Sequence, residues 1–115
     1  MKFKNIKELV GEAISEKLYI NLVEQIKKDF ILANIDLEIS LKVEPINLIE
    51  LLHEKIYVLI LEKFDKYLNL LYVVDVPEKA FKEIKVTDAV DIAEQVCFLI
   101  IKRELQKVRL KEKYR

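Results

Sequence analysis

Apolar residues recur at three- and four-residue spacing over residues 5–33: Ile6, Leu9, Val10, Ala13, Ile14 and Leu18, then Leu22, Val23, Ile26, Phe30 and Ala33. That period predicts amphipathic helix. Taken as one helix, the row Ile6, Val10, Ile14, Leu18, Leu22, Ile26 and Phe30 steps by four. A step of four overshoots a 3.6-residue turn, so the row drifts around the cylinder. A bend or break is therefore expected near Gly11 or near residues 19–21.

The period then changes. Ile35, Leu37, Ile39, Leu41 and Val43 alternate strictly with Asp36, Glu38, Ser40 and Lys42. A period of two favours extended backbone, yet no second segment alternates as cleanly, and a lone strand leaves its donors and acceptors unpaired. In order of preference, the segment is an extended linker across a helical body, a strand pairing with the same segment of a second chain, or a helical continuation. Its five apolar residues are the candidate interaction residues.

Glu44-Pro45 opens the next helix, because proline suits the first helical position. Residues 45–74 hold no glycine and no further proline, and predict one long helix with Ile49, Leu52, Ile56, Leu59, Ile60, Phe64, Leu68 and Leu71 on one face. Leu48, Leu51, Val58, Leu61 and Tyr72 widen that face, as expected for a central bundle helix. Asp75-Val76-Pro77-Glu78 carries a start signature, Asp75 capping and Glu78 reaching back, for a short helix over residues 76–84. Thr87-Asp88 repeats the signal for a last helix running to near Lys111. The fold class is all-α, an irregular helical bundle of four or five helices in a single domain over residues 1–115. Its parts are an N-terminal helical region (5–33), an extended connection (34–44), a helical core (45–111) and a tail (112–115).

Composition narrows the function classes. Hydrophobic residues make up 52% of the 115 positions, enough to bury a core and too many for a disordered chain. One glycine excludes Gly-rich phosphate loops. The longest apolar runs, 56–61 and 96–101, are six residues each, far below the roughly 20 that span a bilayer. No export signal follows the first residues, and the single cysteine, Cys97, forms no intramolecular disulfide, which fits a reducing, cytoplasmic setting without membrane contact. Cys97 sits in an apolar run and reads as a core residue.

The net charge of zero hides an asymmetry: residues 102–115 carry seven basic and two acidic side chains, leaving an excess of five negative charges on residues 1–101. Lys102, Arg103, Lys107, Arg109 and Lys111 are candidate phosphate ligands for a nucleic acid, though only Gln106 and Tyr114 stand near them to read or stack on bases. Placement of cations at a helix C-terminus explains the same charges. Glu8, Glu12 and Glu16 form a like-charge row, read as a solvated face in preference to one paired with the basic tail.

Reactive constellations are sparse. Glu50 and His53 share a helix face at the spacing used by dinuclear carboxylate sites, but such sites need a second copy of the motif and further glutamates, so the pair is a weak metal candidate and no cofactor is expected. Ser15, Ser40 and Thr87 lack the glycine-flanked turn of a reactive serine. No carboxylate pair is placed inward by the pattern. No catalytic residue emerges, and the chain reads as non-enzymatic.

Residues 45–111 resemble a family of small uncharacterised helical proteins of Bacteroidetes-type bacteria, on His53-Glu54-Lys55-Ile56-Tyr57, Leu70-Leu71-Tyr72, Asp75-Val76-Pro77-Glu78 and the ending from Leu99 to Lys107. The resemblance implies a cytosolic all-α protein of unassigned role and transfers no catalytic residue. The functional expectation is a helical module for protein–protein interaction or self-association, a homo-oligomer (dimer) or a partner of another protein. The alternative is nucleic-acid binding through the basic C-terminal helix.

Overall fold

In the computed structural model, which describes residues 2–115 and side chains from Asn5 onward, the first helical stretch divides into α1 (Lys2–Ser15) and α2 (Tyr19–Leu32). The division falls just before residue 19, and Gly11 lies inside an unbroken α1. Lys17 adopts a left-handed conformation (φ 61°), which lets the Leu18 N–H reach the Ala13 carbonyl at 2.8 Å and the Lys17 N–H reach Ile14 at 3.0 Å. These two bonds satisfy carbonyls that the end of a helix leaves open.

The same closure recurs twice. Asn34 (φ 61°) ends α2, with Ile35 N–H bonded to Phe30 O, and Asp75 (φ 68°) ends a later helix, with Val76 N–H bonded to Leu71 O. Glycine usually holds this position because a Cβ there is strained. Asn and Asp tolerate it better than lysine. Lys17→Gly is therefore expected to raise stability, by up to about 1 kcal/mol, read as a higher thermal midpoint; an unchanged or lower midpoint would count against strain at Lys17.

Residues 35–43 form neither strand nor helix and run as a linker over the helical body, the first of the three outcomes above. Pro45 then occupies the first turn of α3 (Pro45–Glu62), as expected. The long helix does not continue to residue 74. It breaks at Lys63 (φ −143°, ψ 61°) and resumes as α4 (Phe64–Val74). The buried rows explain the break. Leu52, Ile56 and Leu59 are buried before it and Tyr67, Leu70 and Val74 after it. An unbroken helix would carry that seam through position 63 and bury an ammonium, which is costly without a partner. Breaking there leaves Lys63 exposed and turns Phe64 and Leu68 outward, against the expectation that both face the core.

The short helix α5 (Glu78–Lys82) begins after Asp75, which closes α4 instead of capping α5. Asp88 does cap α6 (Ala89–Lys113), accepting from Asp91 N–H at 2.8 Å. The described residues thus form six helices; the expected four or five miss the break at Lys63. All five other helices pack against α6, α3 and α1 most extensively. Their shared core includes Phe30, Ile26, Leu52, Ile56, Leu70, Ile100 and Ile101, all fully buried.

Candidate functional site

Among the described residues four polar side chains are buried in this oily interior: Gln25, Asp29, Gln95 and Glu104. Gln95 bonds Lys85 through its backbone and Asp91 through its side chain, and so holds the loop before α6. The other three meet across α2 and α6. Glu104 continues the buried row Ala93, Cys97, Ile100 and Ile101 of α6, and Asp29 continues the row Leu22, Gln25 and Ile26 of α2. Helical periodicity alone therefore carries two carboxyl groups into the core.

Lys107 completes the cluster. Its ammonium donates to the Asp29 carboxylate and to the Val74 carbonyl at 3.1 Å, where α4 ends. It also lies 3.1 Å from Glu104 Oε1, without the alignment a hydrogen bond needs, so that contact is electrostatic. Gln25 Nε2 donates to Asp29 at 3.2 Å, and Lys111 donates to Gln25 Oε1 at 2.5 Å. Three helices are tied together at one point.

Burial, followed by the neighbouring Asp29 carboxylate, pushes Glu104 up to about 9. Burial also works against Asp29 ionising, but the neighbouring Glu104 carboxyl and the hydrogen bonds from Lys107 and Gln25 outweigh it and hold that carboxyl below its ordinary range. Burial disfavours the charged Lys107 as well, and the two acids more than offset it. At neutral pH the pair therefore keeps one proton, on Glu104, and one negative charge opposite Lys107.

This sets a pH dependence. Between its ordinary value of 4.5 and about 9, Glu104 binds a proton in the folded protein that the unfolded chain has released. Stability therefore falls as pH rises through that interval, by at most about 1.4 kcal/mol per unit for one proton, and levels off above it. Asp29 acts oppositely, and its contribution is lost only as the solution turns strongly acid. Urea midpoints measured from pH 5 to 9 should decline, and Glu104→Gln should flatten the slope. A slope unaltered by that substitution would remove Glu104 as its source.

The five basic residues singled out in the sequence are separated by the helix and mostly engaged. Arg103 donates to the carbonyl and the carboxylate of Asp75 at 3.0 and 2.9 Å. Lys107 and Lys111 belong to the cluster above. Arg109 reaches Glu12 at 2.9 Å and Glu16 at 2.9 and 2.5 Å. The glutamate row of residues 8–16, along and just past α1, is thus paired at Glu12 and Glu16 by the basic helix, which corrects the expectation of a merely solvated face. Lys102 is exposed and makes no hydrogen bond or ion pair among the described residues; its ammonium lies 5.9 Å from the centre of the Phe98 ring.

His53 Nε2 donates to the Val90 carbonyl at 3.0 Å, while Glu50 is exposed. Among the described residues no group of three or more His, Cys, Asp or Glu side chains is arranged to hold a metal ion. Cys97 is fully buried, and burial, followed by the charge of Glu94, pushes its thiol up to about 12. Of the alternating residues, Ile35 and Ile39 are buried, Leu37 and Val43 half-buried and Leu41 exposed. Among the described residues no helix is long and apolar enough to cross a membrane.

No family model matches the chain, and neither a curated protein nor a solved structure matches it. Those comparisons leave the resemblance of residues 45–111 to small bacterial helical proteins without a bearing either way.

Proposed function

We propose that the chain is a non-enzymatic helical module of the cytoplasm that associates with a second copy of itself through the outer face of the α3–α4 corner. One observation carries this reading. Leu61, Phe64, Leu68 and Tyr72 are 55%, 54%, 47% and 83% exposed, around the corner that Lys63 makes. Phe64, Leu68 and Tyr72 follow one another at four-residue spacing along α4. Aromatic and aliphatic groups set side by side on a surface favour burial against a partner, and a net charge of zero puts no long-range repulsion between two copies. Light scattering over a concentration range tests it. The mass should approach twice 13.6 kDa in the wild type and stay at one chain in Leu68→Glu; a wild-type monomer at every concentration would end the proposal.

Nucleic-acid binding ranks second, because Arg103, Lys107, Arg109 and Lys111 already face acids, amides or carbonyls of the same chain.

A further inference from the structure

Between residues 36–38 of the linker and the outer side of α3 runs a groove of about 370 Å³. Leu37, Leu51 and Val58 floor it, and Asp36, Glu38 and Glu54 rim it, with Lys55 the one cation among them. Two features coincide here. First, its acids are unspent. Acids facing α6 (Glu12, Glu16, Asp29 and Asp75) are matched by cations, whereas Asp36, Glu38 and Glu54 make no hydrogen bond or ion pair among the described residues. Second, its backbone is open. No hydrogen bond within the described residues reaches the N–H groups of residues 36–39 or the carbonyls of residues 36–38. An extended segment with a free edge is a template for another strand.

A second copy of the segment is a poor fit. The extended run closes at Ser40, whose carbonyl accepts from Val43 N–H at 3.0 Å, so Lys42 lies in a turn outside it. Antiparallel self-pairing of residues 35–40 then centres on Leu37 or on Glu38. The first register sets Asp36 opposite Glu38, and the second sets Glu38 opposite itself. Like charges directly opposite one another repel.

We propose that this groove docks an extended segment of another protein in which lysine or arginine alternates with apolar residues. The segment adds a strand along residues 36–40, seats its apolar side chains over Leu37, Leu51 and Val58, and sets its cations against Asp36, Glu38 and Glu54. The inference rests on the reading of the chain as an interaction module, and uses a face distinct from the α4 stripe.

Titration of the ¹⁵N-labelled full chain with a blocked synthetic hexapeptide of alternating lysine and valine tests it. Amide shifts are expected at residues 36–40 and along residues 51–58, with affinity falling as salt rises. The double variant Asp36→Lys/Glu38→Lys alters only exposed side chains. It should weaken binding roughly tenfold or more, since two cross-strand attractions become repulsions, while circular dichroism stays unchanged. A peptide with glutamate in place of lysine should not bind. Absence of shifts, equal binding of the glutamate peptide, shifts centred elsewhere, or full affinity in the double variant would each overturn the proposal. Leu68→Glu should leave peptide binding intact, so failure of self-association and failure of the groove appear in separate measurements.

Discussion

Replacing Lys107 with methionine should cost the fold about 3–5 kcal/mol, because it leaves a buried carboxylate without its counter-charge. Asp29 and Glu104 are almost wholly enclosed, and Lys107 is the one ammonium that reaches both. The same substitution also strips the Val74 carbonyl of its donor where α4 ends. Two companions separate charge from packing. Asp29→Asn on the Lys107→Met background removes the stranded anion and should recover much of the loss. Arg109→Met removes an equally well-formed pair with Glu12 and Glu16, but those groups are solvated, and a loss of no more than about 1 kcal/mol is expected. Urea denaturation of the four proteins provides the comparison, and similar losses for Lys107→Met and Arg109→Met would show that burial adds nothing to the cluster.

The second large effect is expected at Phe30. Its ring is among the largest fully buried side chains and belongs to α2, which packs against α4 and α6. Phe30→Ala removes that volume and leaves a cavity the surrounding helices only partly close, for a loss of about 3–5 kcal/mol. Tyr72→Ala deletes a side chain of similar size from the surface, where changes usually stay within about 0.5 kcal/mol. Under the proposed function it should instead lower the tendency to self-associate. Thermal unfolding paired with light scattering thus sorts the two aromatics. A Phe30→Ala protein as stable as the parent would mean that the core is far less well packed than its burial indicates.

Why some of this was readable from the chain and some was not comes down to which energies act locally. The α6 start was legible because Asp88 caps through its own backbone neighbours, and the α3 start because proline acts on its own φ. Helix ends were harder. A left-handed residue closes α1, α2 and α4, yet the side chains there are Lys17, Asn34 and Asp75, not the glycine that would announce it. Asp75 therefore read as the beginning of a helix when it finishes one. The break at Lys63 has no local signal; it exists because a neighbouring layer would otherwise enclose an ammonium. Asp29 and Glu104 were visible in principle, since each lies on an apolar row at helical spacing. They look like surface acids until a second helix supplies Lys107 and Gln25. Alternation marked a non-helical run over residues 35–40, with Ile35 and Ile39 inward, but it missed the turn at residues 41–42 and is silent on what covers the edge.

The sulfur of Cys97, sealed within the N-terminal half of α6, doubles as a clock for the whole molecule. It is the chain's single thiol, wholly enclosed and held far from ionisation, so a thiol-labelling reagent reacts only during the moments when the surrounding layers part. The labelling rate then reports how often the interior opens, and no probe has to be engineered to record it.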